Sequence, residues 1–177
     1  MIYHARMSEE LRIEPATVHD VPLILQFIKD LAEYEKLPNA VVATEDDLRS
    51  HLFGPNAMAH TVIAFVGDEP AGFALYFFNF STFLARPGLY LEDLFVKPAL
   101  RKRGVGRALL AHLARIALER GCGRVEWSVL NWNEMALRFY RSIGAEPLSD
   151  WTVMRLTPPA ISRLAADAPA VPRSSAT

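Results

Sequence analysis

The alternation of apolar and polar positions divides the first half of the chain into a strand, two helices and a pair of strands. Residues 11–13 alternate as a short strand does, and Leu23, Phe27 and Leu31 fall on one face of a helix that follows the capping residue Thr17. Thr44 begins a second, shorter helix in the same way.

Two strands are predicted next, at residues 61–66 and 71–80. Between them, Gly67 to Pro70 supplies residue types that suit a tight turn, so the two strands are predicted to form an antiparallel hairpin. Pro87 and Gly88 are expected to break the chain before another strand begins at Tyr90.

Strands and helices alternate in the second half. We predict strands at 90–96, 124–129 and 151–156, and helices at 107–120 and 133–143. The complete order, β α α β β β α β α β, predicts an α/β (α+β) fold in which helices flank a central sheet.

The length of 177 residues suits a single domain, which we place at residues 11–157. Residues 1–10 are polar and irregular, and we expect a flexible N-terminal lead-in there. From Pro158 the chain is a mixture of alanine, proline and serine, so we expect residues 158–177 to form a disordered tail.

Charge and cysteine content narrow the classes of function. Nineteen basic and 20 acidic side chains give a net charge of −1, which does not favour nucleic acid or an anionic membrane as a partner. No apolar run approaches the roughly 18 residues that span a bilayer. Cys122 is the single cysteine, so neither a disulfide nor a cysteine-rich metal site is predicted, and we expect a cytoplasmic protein without a metal.

The most informative segment is the basic, glycine-containing loop between the strand at 90–96 and the helix after it. Gly104 and Gly106 allow backbone N–H groups to turn inward, and the start of the helix directs its N–H groups and its positive dipole end to the same place. Such a site favours a phosphate or pyrophosphate. Four cations surround it: Arg101, Lys102, Arg103 and Arg107.

Two common phosphate-binding motifs do not fit this loop. A P-loop ends in Gly-Lys-Ser/Thr, whereas Gly106 is followed by Arg107. The dinucleotide-binding fingerprint needs a third glycine at the position of Leu109. A purely structural interpretation remains, in which the glycines shape a turn and the cations are solvated.

The loop, with Leu94-Phe95-Val96 before it, resembles the acetyl-CoA loop of the GNAT superfamily of N-acetyltransferases. Residues 90–96 (YLEDLFV), 132–134 (WNE) and 139–140 (FY) resemble more narrowly the diamine acetyltransferases, meaning the spermidine/spermine and thialysine acetyltransferases. The likeness covers about residues 11–156. It implies the GNAT fold, a mixed sheet that splays where strand 90–96 meets strand 124–129.

The resemblance also implies acetyl-CoA as donor and a set of residues that contact it. Asn133, Ala136 and Tyr140 share one helix face by their spacing, and Tyr140 matches the family's general acid. A tyrosine that only packs on the core is the structural alternative. The implied contacts are Leu94, Phe95, Val96, Arg101, Lys102, Arg103, Gly104, Val105, Gly106, Arg107, Asn133, Ala136 and Tyr140.

An amine acceptor is implied on the other side of the reaction. Glu92 matches the carboxylate thought to withdraw the ammonium proton through water, and Asp93 is expected to orient the loop or the substrate. The two are adjacent on a strand, so only one faces a given cleft, and alternation alone does not say which. Further matches are Tyr34, Glu35, Glu126, Trp127 and Ser128. The structural alternatives are a solvated helix-end acid for Glu35 and a core residue for Trp127.

The chain departs from the polyamine enzymes at Thr82 and Leu84, where those enzymes carry an acid and a tryptophan. This weakens the case for polyamines but not for amine acetylation. We therefore expect acetyl transfer to the primary amine of a small molecule by direct attack. Acetylation of a protein lysine and a non-catalytic acyl-CoA sensor are the alternatives. The family also implies a homodimer, and the aromatic residues Phe77, Phe78, Phe80 and Phe83 give modest support to it.

Overall fold

Five strands form one sheet in the computed structural model, which describes residues 10–169. They are β1 (Leu11–Pro15), β2 (His60–Val66), β3 (Glu69–Ser81), β4 (Arg86–Val96) and β5 (Val125–Trp127). The sheet order is β1-β2-β3-β4-β5, with antiparallel pairing up to β4 and parallel pairing between β4 and β5. The predicted α/β class with a mixed sheet is confirmed.

The longer helices are α1 (Val21–Tyr34), α2 (Glu45–Phe53), α3 (Val105–Glu119), α4 (Glu134–Ser142) and α5 (Pro158–Ala165). The chain divides into two compact units after Ser128. The domain bounds of 11–157 stay a prediction, and the expected lead-in lies outside the described residues except for Glu10. None of the helices in residues 10–169 is long and apolar enough to cross a bilayer.

The core between α1 and the sheet is built around aromatic rings. Phe27 of α1 stacks on Phe73 of β3 at a centroid distance of 5.4 Å and lies 6.0 Å from the ring of Phe95 on β4. Ile24 and Ile63 belong to the same buried cluster as these rings. This packing holds α1 against β3 and β4, which positions the C-terminal end of α1 beside β4.

Helix α3 buries a stripe with helical spacing in the first unit. Val105, Leu109, Leu113 and Ala117 are almost completely buried, whereas Leu118 is exposed. Because α3 also contacts β3 and β4, its N-terminus is held at the end of the loop that leaves β4.

The hairpin of β2 and β3 is confirmed, with Gly67 at a φ of 60° in its turn. The predicted break at Pro87 and Gly88 is wrong, since both residues lie inside β4 opposite Phe80 and Asn79. The chain turns earlier, and Ala85 takes a φ of 49° there. Gly88 lies in close packing rather than in a turn, because a Cβ atom there would force the Asn79 side-chain oxygen to move.

The second unit differs most from the sequence prediction. Residues 151–156 form no strand: they have no ladder partner, and the side chains of Trp151, Val153 and Met154 are mostly exposed. Strand propensity without a paired edge does not make a strand. Residues 158–165 form helix α5 instead of disordered chain, because Pro158 and Pro159 occupy the first turn, where a missing N–H costs nothing. The remaining tail from residue 170 lies outside the described residues.

Candidate active site

Strands β4 and β5 pair over a short distance and then lose contact. Their parallel register joins Leu89 to Val125, Tyr90 to Glu126 and Leu91 to Trp127. β5 ends there, whereas β4 continues to Val96. The β4 edge from residue 92 onward therefore has no β5 partner within the described residues, and the predicted splay is confirmed.

A β-bulge lies at the point where the strands separate. In the β3–β4 register Leu75 is opposite Asp93 and Tyr76 is opposite Leu91, so Glu92 is an additional residue without an opposite partner. The bulge interrupts the alternation of side chains along β4. Glu92 is exposed, whereas Asp93 is partly buried, and its register partner Leu75 belongs to the core cluster beside α1.

Three carboxylates interact at this bulge. Burial, together with the negative charges of Glu92 and then Glu35, raises the pKa of Asp93 to about 6. Burial also raises the pKa of Glu35, the residue that ends α1. A partly desolvated set of acids is a site that a cation stabilises, because its positive charge offsets both the repulsion and the lost hydration. The site therefore suits an ammonium group.

Strands β4 and β5 carry polar side chains where they pair. The Tyr90 hydroxyl and Ser128 Oγ lie 2.9 Å apart and join β4 to the end of β5. Arg124 forms an ion pair with Glu126 at 2.8 Å. Trp127, which lies between Glu126 and Ser128 in the sequence, is half-buried. By strand alternation its side chain points to the opposite side of the sheet from those of its two neighbours. Of these three predicted substrate contacts, Glu126 and Ser128 share the side of Tyr90.

The loop after β4 has the backbone geometry expected of an anion site. Lys102 and Gly104 both take positive φ values, 62° and 85°, and α3 begins at the next residue, Val105. Ala108 is the first residue whose N–H donates to a carbonyl within the helix, that of Gly104 at 2.9 Å. The N–H groups before it have no acceptor in the helix and point out of its positive end.

The side chains around this loop are mostly solvent-facing. Lys102, Arg103 and Arg107 are exposed, whereas Val105 is buried and anchors the helix start. A Cβ atom on Gly104 would meet nothing within 4 Å, so the space beside it is open. The arrangement leaves room for a phosphate group at the helix terminus.

Arg101 differs from the other cations of the loop. Its Nε donates to the carbonyl oxygen of Val96 at 3.0 Å, and its guanidinium carbon lies 4.4 Å above the ring centroid of Tyr34. Sequence reasoning grouped all four cations around the anion, and the contacts of Arg101 gave no signal in the sequence because they join residues far apart along the chain.

The predicted general acid belongs to the second unit. In α4, the side-chain oxygen of Asn133 accepts a hydrogen bond from the N–H of Ala136 at 3.2 Å and caps the helix. Asn133, Ala136 and Tyr140 are all half-buried, and their spacing places them on one face, as predicted. The rings of Phe139 and Tyr140 lie 5.4 Å apart.

The buried carboxylate gives a prediction about stability. The folded protein holds the Asp93 proton more tightly than the unfolded chain, so stability falls as pH rises from about 4 to about 6, by roughly 2 to 3 kcal/mol. Asp93→Asn should therefore raise the free energy of unfolding at pH 7.5 and lose that advantage at pH 4, as measured by urea denaturation. Glu33→Gln, on an exposed acid of α1, is the control and should show no such gain. An equal effect of Asp93→Asn at both pH values would contradict the assignment.

Known proteins resemble this chain over most of its length. Residues 25–145 match the Acetyltransferase (GNAT) family. Thialysine N-epsilon-acetyltransferase of Bos taurus is 35% identical over 86% of this chain and 96% of its own length, and L-ornithine N5-acetyltransferase NATA1 of Arabidopsis thaliana is 31% identical over 86% and 87%.

Solved structures share the fold. An integron cassette protein from the mobile metagenome of V. cholerae superposes with a TM-score of 0.74 at 28% identity, over 90% of this chain and 98% of the other. An aminoglycoside acetyltransferase from a soil metagenome reaches a TM-score of 0.67 at 22% identity, over 83% and 94%. With the splayed sheet, the loop and these matches, the chain belongs to the GNAT acetyltransferase family.

Proposed function

We propose that this acetyltransferase moves an acetyl group from acetyl-CoA to the primary amine of a small diamine of the thialysine or ornithine type. The observation that carries the proposal is the carboxylate set of Glu35, Glu92 and Asp93 at the point where the sheet opens. The curated relatives that act on thialysine and L-ornithine support the same class of acceptor. We place the reaction in the cytoplasm on the sequence grounds given above.

The donor would be held by the loop and by the open edge of β4. Lys102, Arg103 and Arg107 supply positive charge at the helix terminus, where the N–H groups of α3 are directed outward. Leu94 to Val96 offers backbone groups on the β5 side, where the sheet has opened. A linear thioester arm that bears a pyrophosphate at one end fits both features.

The acceptor would enter as an ammonium ion among the three acids and must lose a proton before it reacts. Glu92, the bulged and exposed carboxylate, takes that proton through water, and Asp93 and Glu35 retain the second positive charge of a diamine. The neutral nitrogen then attacks the thioester carbonyl carbon, the carbon–sulfur bond breaks, and the thiolate of CoA leaves. Tyr140 gives a proton to that thiolate, and the proton that the nitrogen loses as the amide forms passes through water to restore the tyrosine hydroxyl. Cys122 has no role, since the attack is direct.

An acceptor panel tests this function. Release of free CoA would be followed with thialysine, L-ornithine, putrescine, spermidine, spermine and a lysine-containing peptide. We expect the highest kcat/KM for the amino-acid diamines, because Thr82 and Leu84 stand where polyamine enzymes carry an acid and a tryptophan. A preference for the peptide would indicate a protein acetyltransferase, and acetyl-CoA binding without turnover of any amine would indicate a sensor.

The loop prediction concerns Gly104. Gly104→Asp places a negative charge in the open space at the helix terminus and should abolish detectable acetyl-CoA binding in calorimetry. Gly104→Asn is the matched control: asparagine tolerates the positive φ and adds the same volume without the charge, so it should retain at least 10-fold higher affinity than the aspartate variant. Equal affinities in the two variants would remove the loop from the donor site.

The second prediction concerns the general acid. Tyr140→Phe keeps the ring beside Phe139 but lacks the hydroxyl proton, so kcat should fall by roughly 10²-fold while the Kd of acetyl-CoA changes little. Steady-state kinetics and calorimetry measure the two quantities. Tyr90→Phe is a comparison on a hydroxyl that bonds Ser128, and its loss should affect KM more than kcat. Unchanged turnover in Tyr140→Phe would leave Tyr140 a packing residue.

The third prediction is a homodimer that uses the tip of the β3–β4 hairpin. Phe80 and Phe83 are 62% and 95% exposed there, and Leu84 beside them is 51% exposed, an apolar group that a second copy would cover. Light scattering at micromolar concentration should give twice the chain mass of 19.8 kDa. Phe83→Asp should shift the protein towards monomer, whereas Leu118→Asp, on the exposed side of α3, should not. A monomeric active species would refute the dimer.

A further inference from the structure

The β3–β4 register places Tyr90 and Asp93 on the same face of the sheet, the face that packs on α1. Asp93 is opposite Leu75 and Tyr90 is opposite Phe77, and by alternation both β3 residues share the side on which Phe73 stacks against α1. Without the bulge, two residues three positions apart on β4 would point to opposite faces. The buried acid and the residues that pair with Tyr90 therefore line one surface.

Arg124 brings a positive charge to this surface. It shares the side of Glu126 by alternation and forms an ion pair with it at 2.8 Å, and Glu126 is the register partner of Tyr90. The Arg124 side chain reaches over Gly88 of β4, where a Cβ atom would lie 3.3 Å from its Cγ and 3.4 Å from its Nε. This side chain is 38% exposed, so a ligand in solution can reach it.

Two polar groups here have unused hydrogen-bonding capacity. Within residues 10–169, Glu126 is the single ion-pair partner of the Arg124 guanidinium, a planar group with several N–H donors. The side-chain oxygen of Asn79, which approaches the same position over Gly88, is buried and has no hydrogen-bond partner in that part of the chain. Two parallel N–H donors of a guanidinium match the shape of a carboxylate, so the Arg124 fork suits a ligand that carries one.

The spacing of these charges matches the zwitterionic end of an amino acid. Leu75 and Phe77 are two residues apart, so the levels of Asp93 and Glu126 differ by roughly 6 to 7 Å, and the strand spacing of about 4.8 Å makes the diagonal roughly 8 Å. The α-ammonium and α-carboxylate groups leave the same carbon atom. With a hydrogen bond of about 2.9 Å on each side, they bridge a gap of that size.

We propose that Arg124 binds the α-carboxylate of an amino-acid acceptor while Asp93 and Glu126 hold its α-ammonium group. This subsite selects α-amino acids with a terminal amine over simple diamines and polyamines, which leave the guanidinium without a ligand. The inference rests on the proposed function and narrows its acceptor. The terminal amine extends from the α-carbon to the opening beside Glu92, where the acetyl group is transferred.

L-Ornithine and putrescine test the subsite, because they differ only in the α-carboxylate. The wild-type protein should have a kcat/KM about 10-fold or more higher for L-ornithine. Arg124→Gln should remove this preference by raising the KM of L-ornithine about 10-fold, while the KM of putrescine changes less than about 3-fold. Arg124→Lys keeps the charge without the planar fork and should give an intermediate KM for L-ornithine.

Arg115→Gln is the matched control for the loss of an ion-paired arginine. Arg115 pairs with Glu119 at 3.9 Å, and both residues are exposed on α3. The substitution should leave the KM values of both amines unchanged. An equal effect of Arg115→Gln and Arg124→Gln on L-ornithine would contradict a specific role of Arg124.

Calorimetry in the presence of CoA measures acceptor binding without turnover, because CoA carries no acetyl group to transfer. L-Ornithine should bind Arg124→Gln about 10-fold more weakly than the wild-type protein. L-Ornithine methyl ester, which lacks the negative charge, should bind both proteins with the same Kd. Equal weakening of the amino acid and its ester would refute the carboxylate contact.

The outcomes for this proposal and for the proposed function are separable. If no amine is acetylated, the function fails, and calorimetry still decides whether Arg124 binds the carboxylate. If amines are acetylated but Arg124→Gln changes L-ornithine and putrescine equally, or changes neither, the function stands and the subsite is refuted. Arg124→Lys carries the comparison if the glutamine variant does not fold.

Discussion

The separation of β4 from β5 is the constraint on which the rest of the site depends. Three residue pairs join the parallel strands β4 and β5. The pairing stops at Leu91, and the bulge at Glu92 follows directly. A bulge increases local twist, and twist directs a strand away from its neighbour. β4 keeps its ladder with β3 throughout, so the sheet opens on one side only and remains anchored on the other.

This opening has an energetic cost that the acceptor would offset. Asp93 is held in a partly desolvated position beside two other carboxylates, and its pKa of about 6 is the measure of that cost. Sites that perform chemistry are commonly less stable than the fold would allow. Here the aromatic packing of Phe27, Phe73 and Phe95 lies beside the acids and supplies the rigidity that holds them near one another.

The proposed donor loop obtains its positive charge in a different way. Backbone N–H groups and the dipole of α3 need no particular side chain, and they depend only on where the helix begins. The burial of Val105 fixes that starting point, so the start of α3 and the core of the first unit are parts of the same packing. The exposed side chains of Lys102, Arg103 and Arg107 add positive electrostatic potential at this helix terminus. Because they are exposed, substitutions there can change that potential without changing the fold.

Local sequence features predicted the elements with short-range causes. The capping box of Thr44 and Asp47 is present, the hairpin turn forms at Gly67, and the helix after Gly104 begins within two residues of its predicted start. Each of these depends on residues within a few positions along the chain. Pro87 and Gly88 misled the prediction because a strand accommodates a proline near its first residue and a glycine where a neighbouring side chain approaches the backbone closely.

The sequence by itself determined the α/β class, the basic glycine loop and the identity of the acidic pair at residues 92 and 93. Only the tertiary structure decided that Asp93 is the more buried of that pair, since this follows from a bulge set by pairing with β3. The same is true of Arg101, whose partners Tyr34 and Val96 meet it through packing. Residues 151–156 had strand propensity, but a strand requires an edge to pair with, and the sequence of one segment does not specify that edge.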